Sequence, residues 1–321
     1  MRIRSFRFLL VGLTSLIPAA LLAILIFLTA YSWSAIGFNG LHFLFGKIWD
    51  LGNLYANPVT AHGFTVPIGA RYGILVFIAG TLLTSLIALL LAVPVSLGVA
   101  IFLAEGVPPL LRPALSLIVE LLAGVPSVVY GLWGFAVLIP LVGHDLGPAL
   151  AKTLGFIPFF AGPVGGGYGL LSASLVLALM VVPIVTATVH EALARVPREA
   201  KEAAYALGAT RFEVVRLAML PMIRGSIIGA VILGLGRALG ETMAVLMVSG
   251  GALNYLPDTI YSPVSTMASF IVSQLDSALQ DPTGMAVRSL AEIALVLFLI
   301  TVIVNAFARV LIGGFDHASR G

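Results

Sequence analysis

Residues 191–224 read EALARVPREAKEAAYALGATRFEVVRLAMLPMIR, the one long polar interruption in the C-terminal half of the chain. An apolar run of membrane length lies on either side, so the stretch is a loop between two membrane spans. Local signals draw two short helices within it. The first has Pro197 at a tolerated first-turn position, Glu199 and Glu202 near the positive end of the helix dipole, and Gly208 just past the end, where a left-handed cap is needed. Ala200, Ala203, Ala204 and Leu207 then form one small, smooth apolar face. The second helix opens on the capping box Thr210-x-x-Glu213 and is expected to stop at Pro221. By pattern alone the loop fits either an amphipathic segment lying at the membrane interface or a docking surface for a partner.

The rest of the composition sets the class. Of 321 residues, 60% are hydrophobic and only 10% charged, against about 25% charged in a soluble domain. The apolar runs are continuous, unlike the alternating segments of about 10 residues in an outer-membrane barrel. An all-α, multi-pass integral membrane protein in contact with lipid is therefore expected. A net charge of +3 is too small to suggest nucleic acid as a partner, and with no cysteine there is no disulfide framework. His42, His62, His144, His190 and His317 show no metal-ligand spacing.

Six spans are expected, at 8–31, 72–103, 113–142, 168–190, 225–249 and 286–311. The first follows a basic start but exceeds the roughly 7–15 apolar residues of a signal sequence, so an uncleaved helix is favoured. Arg2, Arg4, Arg7, Arg112, Arg195, Arg198, Lys201, Arg211, Arg216, Arg224, Arg309 and Arg320 fall on one side, and Lys47, Arg71, Lys152 and Arg288 on the other. By the positive-inside rule both termini and the 191–224 loop are cytoplasmic. The expected organisation is an N-terminal helix with an outer loop over 1–71, a transmembrane domain over 72–312 and a short tail at 313–321. Pro94 and Pro126 predict kinks or interfacial extensions in the second and third spans.

Arg237 and Glu241 stand one turn apart in the fifth span, with Arg237 roughly 20 Å from Arg224 along a helix axis. Charges at that depth cost about 2.5–3.5 kcal/mol each on insertion scales and face a bundle interior or a water-filled path. Two readings follow. The two side chains neutralise one another, or Arg237 meets an anionic substrate whose oxygens suit its guanidinium fork, with Glu241 holding it in place or gating it. Gly225, Gly229, Gly236 and Gly240 share one side of the same helix and suit close helix contact, within the chain or with another subunit. Thr81, Thr84 and Ser85 share a face of the second span; they line a polar path or bond back to their own helix. Glu120 and Glu292 are further charges within spans.

The spacing Glu202-Ala203-Ala204, three residues, Gly208, nine residues, then Ala218-Met219-Leu220-Pro221 resembles the EAA loop of ABC-importer permeases, with Ala218 where that pattern has Ile. The stretches GRALGETMAV at 236–245 and AGVPSVVYGLWG at 123–134 look like the phosphate-specific permeases of the PstC type. The Glu241-Thr242-Met243-Ala244 continuation favours that type over its sister PstA. This resemblance covers the chain from about residue 80 onward. It implies a type I ABC importer permease fold in a bacterial inner membrane, in which 191–224 is the coupling loop and Glu202, Ala203, Ala204, Leu207, Gly208 and Pro221 meet the ATPase. It also implies a phosphate path at Arg237, Glu241 and Thr242. The implied partners are a PstA-type permease, two PstB-type ATPase copies and a PstS-type phosphate-binding protein outside.

No phosphate-wrapping Gly-x4-Gly-Lys-Ser/Thr loop is present, because Gly46-Lys47 is followed by Ile48. The chain is therefore expected to be a transport subunit rather than an enzyme and to bind no cofactor itself, with ATP and Mg held by the partner. The glycines at 234–240 have no βαβ context and are no dinucleotide loop. Two alternatives keep a transport role: the same kind of permease for sulfate or molybdate, and an ion-coupled secondary transporter using Arg237 and Glu241 as a proton relay. A purely regulatory membrane protein is a third.

Overall fold

The computed structural model describes the backbone of residues 2–318 and the side chains of 10–307 and 309. The side chains of Arg2, Arg4, Arg7 and Arg320 and of the 313–321 tail lie outside the described residues. Among the described residues five helices are long and apolar enough to cross a membrane, or six when one bent helix pair counts as a single span. Two compact units divide the chain: 1–75 with 271–300, and 76–270 with 301–321.

In the first unit, α1 (Arg2–Asn39) continues past the expected end of the span. Beyond it, β1 (Trp49–Asp50) pairs antiparallel with β4 (Arg71–Tyr72), and β2 (Val59–Ala61) with β3 (Phe64–Val66). The second pair turns at His62 and Gly63, both at positive φ, as the twist of a two-residue hairpin requires. The Asn39 side-chain amide donates to Glu292 Oε2 at 2.8 Å and to the Ser289 hydroxyl at 3.3 Å. A buried carboxylate in an apolar helix thus finds a donor at the end of α1, the compensation such a group needs.

The second unit is built around α5 (Leu170–Ala194), the most enclosed of the apolar helices. Before it come α2 (Leu75–Ile101), which runs on as a π-turn to Gly106, then α3 (Arg112–Ala123) and α4 (Ser127–Leu154). After it come α6 (Arg198–Ala206), α7 (Arg211–Met222), α8 (Arg224–Gly240) and α9 (Met243–Val248). Small residues bring these helices close. Ala88, Ala92 and Ala100 of α2 are wholly buried in the same core as Val176, Val181 and Val185 of α5.

Two expected spans are broken. Residues 113–142 are not one helix: α3 ends at Ala123, and α4 begins at Ser127 behind Pro126. Gly124 is a poor helix former, and Pro126 has no N–H to give the carbonyl of Leu122. The Tyr130 hydroxyl donates to that carbonyl at 2.9 Å. Pro94 leaves α2 continuous. The fifth span is broken as well. It leaves helical geometry at Glu241 (ψ 128°) and resumes as α9.

The helix ending at Pro221 in the sequence pattern instead runs to Met222, then bends by 73° into α8. Its middle, Val214–Met219, is a π-turn. The wider ring accommodates a proline that would clash with the carbonyl four residues earlier in a regular α-helix.

Packing separates the glycines into two kinds. A Cβ at Gly80 of α2 would strike the carbonyl oxygen of Ser265, whereas one at Gly229 of α8 would meet nothing within 4 Å. Gly80→Ala is expected to destabilise the isolated chain by about 1–3 kcal/mol through overpacking. Gly229→Ala is expected to be neutral or slightly stabilising, helped by helix propensity. Thermal unfolding midpoints of the two purified variants in detergent, compared with the parent, check this.

Candidate functional site

The two quoted stretches that carried the resemblance, 123–134 and 236–245, are packed against one another. A Cβ on Gly131 of α4 would lie 2.9 Å from Ala244 Cα and 2.8 Å from Met247 Sδ of α9; one on Gly134 would lie 2.7 Å from Val176 and 3.1 Å from Val248. Glycine at these two positions is what admits α9 to the side of α4. The break before α4 and the break before α9 are thereby brought to the same region of the unit.

Arg237 occupies the last turn of α8, where a cation complements the negative helix end. Glu241 is buried and lies beyond that end. Its Oε1 accepts from the Ala244 N–H at 3.3 Å, in the first turn of α9, where a carboxylate is favoured. Among the described residues no ion pair joins Arg237 to Glu241. The mutual neutralisation open in the sequence requires one continuous helix, and the interruption at Glu241 removes that geometry. Each charge is offset by a different helix end. Arg237 Nε is buried with no partner, and Tyr130 stands within electrostatic reach of the guanidinium. Thr242 sits in the break, its hydroxyl donating to the Gly240 carbonyl at 3.3 Å.

Non-helical backbone at membrane depth is tolerated where protein or a water-filled cavity surrounds it. Discontinuous spans of this kind recur at the binding sites of transporters. An arginine at such a break, with an unfilled donor, can take an anion without first releasing a carboxylate.

Thr81 and Thr84 are fully buried. Their hydroxyls donate to the carbonyls of Phe77 and Gly80, both at 2.7 Å, and Thr81 Oγ1 also accepts from the Met267 N–H at 2.9 Å. Ser85 Oγ is buried without a partner. This face of α2 is therefore spent on packing and back-bonding. Of the glycines on α8, a Cβ at Gly229, Gly236 or Gly240 would find open space; Gly225 is half-buried. The close approach within the chain is made by Gly234 instead, against Val181 and Val185 of α5. A fully apolar neighbourhood gave Gly234 no distinguishing signal in the sequence.

The loop formed as its signals required. Gly208 has φ 84°, and the N–H groups of Gly208 and Ala209 donate to the carbonyls of Tyr205 and Ala204 at 2.9 and 3.2 Å, a Schellman end to α6. The Thr210 N–H donates to Glu213 Oε2 at 2.7 Å, completing the capping box that starts α7. The alanine face divides. Ala204 packs on the core, while Glu202, Ala203, Leu207 and Pro221 are exposed. Leu207 is 90% and Phe212 70% exposed, which gives this corner an unusual amount of bare apolar surface. Lys201, on the inner side, donates to Glu105 Oε1 at 2.6 Å.

Residues 96–319 match the family described as binding-protein-dependent transport system inner membrane component. The phosphate transport system permease protein PstC 1 of Mycobacterium tuberculosis is 49% identical over 86% of this chain and 82% of its own length. The PstC protein of Haemophilus influenzae is 40% identical over 91% of this chain and 87% of its own. Among solved structures, the inward-facing MetNI methionine ABC transporter covers 74% of this chain and 93% of the matched chain, with TM-score 0.51 at 18% identity. A bacterial alginate ABC transporter with its periplasmic protein covers 72% and 75%, also with TM-score 0.51 at 18% identity. These two likenesses bear on the fold, a type I ABC importer permease. The chain belongs to the inner-membrane components of binding-protein-dependent transport systems, among the PstC-type permeases.

Proposed function

We propose that this chain is one of the two permeases of an ATP-driven importer of inorganic phosphate. Arg237 carries the reading: a guanidinium at a break in a membrane helix, with a buried unfilled donor and its neighbouring carboxylate engaged elsewhere. Planar donors suit phosphate oxygens. The printed role of the relatives in phosphate transport supports phosphate as the anion. Glu241 holds the break in shape, and Thr242 stands beside it in the path.

In this reading α6 and the start of α7 dock on a PstB-type ATPase dimer, which holds the ATP and Mg. The exposed Leu207 and Phe212 supply apolar contact, Glu202 and Ala203 allow close approach, and Ala204 and Gly208 hold the helix in place behind them. Motion passes through Pro221 and the 73° bend directly into α8 and Arg237. The open glycines Gly229, Gly236 and Gly240 receive the second, PstA-type permease, and a PstS-type protein delivers phosphate from outside. The 191–224 loop and both termini are cytoplasmic, as the basic residues favour.

Uptake of radiolabelled phosphate by the reconstituted complex tests the cargo. Excess sulfate or molybdate is expected to leave uptake unchanged, and abolition by either would overturn phosphate. Arg237→Lys is expected to lower uptake by about tenfold or more with the complex still assembled, because a point charge does not replace the fork. Wild-type uptake by that variant would remove Arg237 from the path.

Gly208→Val places a β-branched residue at positive φ, a strain of about 1–3 kcal/mol. The expected result is a chain that still inserts but no longer co-purifies with the ATPase in mild detergent. Undiminished co-purification would sink the docking role of α6.

A further inference from the structure

Besides its run into α8 and the packing of Val214, Val215 and Met219 in the core, the coupling loop is joined to the end of α2 by the pair Lys201–Glu105. Lys201 Nζ lies 2.6 Å from Glu105 Oε1, and both side chains are only about a quarter exposed, at 23% and 26%. Among the described residues the other ion pair, Arg195–Glu191, joins neighbours on one helix and is exposed at 77% and 65%. Lys201–Glu105 alone spans distant parts of the chain. Lys201 is on the inner side of α6, away from the face offered by Glu202, Ala203 and Leu207, so a docked partner leaves it in place. Glu105 sits in the π-turn Phe102–Gly106 that ends α2, and π-turns of this kind frequently mark functional positions in helices.

What α2 does at its other end gives the pair its meaning. Gly80 lies directly against the Ser265 carbonyl, Thr81 Oγ1 accepts from the Met267 N–H at 2.9 Å, and the rings of Phe77 and Phe270 stack 3.7 Å apart. The 24 steps from Thr81 to Glu105 span about 36 Å of helix, enough to cross a bilayer core of about 30 Å. Midway, Ser96 donates to the Val182 carbonyl at 3.2 Å and accepts at its own carbonyl from Thr186 at 3.4 Å, so α2 is joined to α5. The segment at its far end feeds back to the site. The Val264 N–H donates to the Ser249 carbonyl at 2.8 Å, immediately after α9, the helix that Glu241 caps.

We propose that Lys201–Glu105 is a second coupling link, through which displacement of α6 is delivered along α2 to the Ser265–Met267 segment on the opposite side of the membrane. It rests on the reading that α6 docks the ATPase. Lys201 and Glu105 are positioning residues that touch neither phosphate nor nucleotide. Through α8 the ATPase moves Arg237; through α2 it moves the far end of the same path, so opening on one side and closing on the other are driven by one helix.

The test uses the full complex of both permeases and the ATPase in proteoliposomes, with the binding protein and radiolabelled phosphate outside and ATP enclosed. Glu105→Gln keeps the size of the side chain and removes the charge. It is expected to leave ATPase co-purification and basal hydrolysis at the wild-type level while uptake per ATP hydrolysed falls about tenfold, the scale of a typical coupling energy. Glu105→Lys alone is expected to lose uptake as well, and the exchange Glu105→Lys with Lys201→Glu to recover most of it. Unchanged uptake per ATP in Glu105→Gln, an exchange no better than Glu105→Lys, or loss of the ATPase from Glu105→Gln would each overturn the link. Failure of the docking reading has a separate signature, an ATPase that stays bound to Gly208→Val.

Discussion

The constraint on which this structure depends is that a membrane interior offers no water to a backbone group that leaves a helix. The chain interrupts two of the expected spans, at 124–126 and at 241–242, and satisfies the exposed ends from its own side chains. At the first break the Tyr130 hydroxyl reaches the Leu122 carbonyl that Pro126 leaves without its usual donor. At the second, Glu241 accepts from the Ala244 N–H. Both repairs are local, and glycines at 131 and 134 let the repaired segments pack together. The irregular backbone is thereby enclosed by protein on the α4 side, and Arg237, at the second break, keeps a buried Nε with no partner.

The surface loop obeys a different economy. Its exposed corner depends on capping rather than enclosure, and the two capping signals in its sequence have counterparts in space: the positive φ of Gly208 with the paired hydrogen bonds behind it, and the capping box at Thr210. Rigid ends on a short helix keep its outer face fixed while leaving Leu207 and Phe212 bare. That combination suits the docking role proposed above, since a frayed helix would yield before its neighbours moved.

Legibility followed the same division. Membrane class, five of the six expected spans in outline, and the loop helices are legible because they rest on composition, run length and capping, which are local. Pro126 was visible as an anomaly, but whether it kinks or breaks its span depends on Gly124 and on Tyr130 eight residues from Leu122. Pro94 produced no break in a comparable apolar run. Arg237 stands out as a charge, yet its separation from Glu241 depends on a helix ending at Gly240, and a glycine in an apolar run fits a packing face as well as a helix end. Gly234 and the Lys201–Glu105 pair lay beyond reach for the opposite reason, because their partners are far away in the sequence.

The separation of Arg237 from Glu241 also bears on what the protein must refuse. A membrane that holds a voltage and a proton gradient is discharged by any pore that passes cations, and an uncompensated positive charge is a barrier to them. Had the two side chains formed a neutral pair, a hydronium or potassium ion approaching this depth would have met no net repulsion. With Glu241 hydrogen-bonded at the start of α9 rather than paired with Arg237, a cation on the proposed path meets a guanidinium that has no carboxylate bound to it. On the path proposed above, the same arrangement that leaves a donor for an anion also insulates against cations.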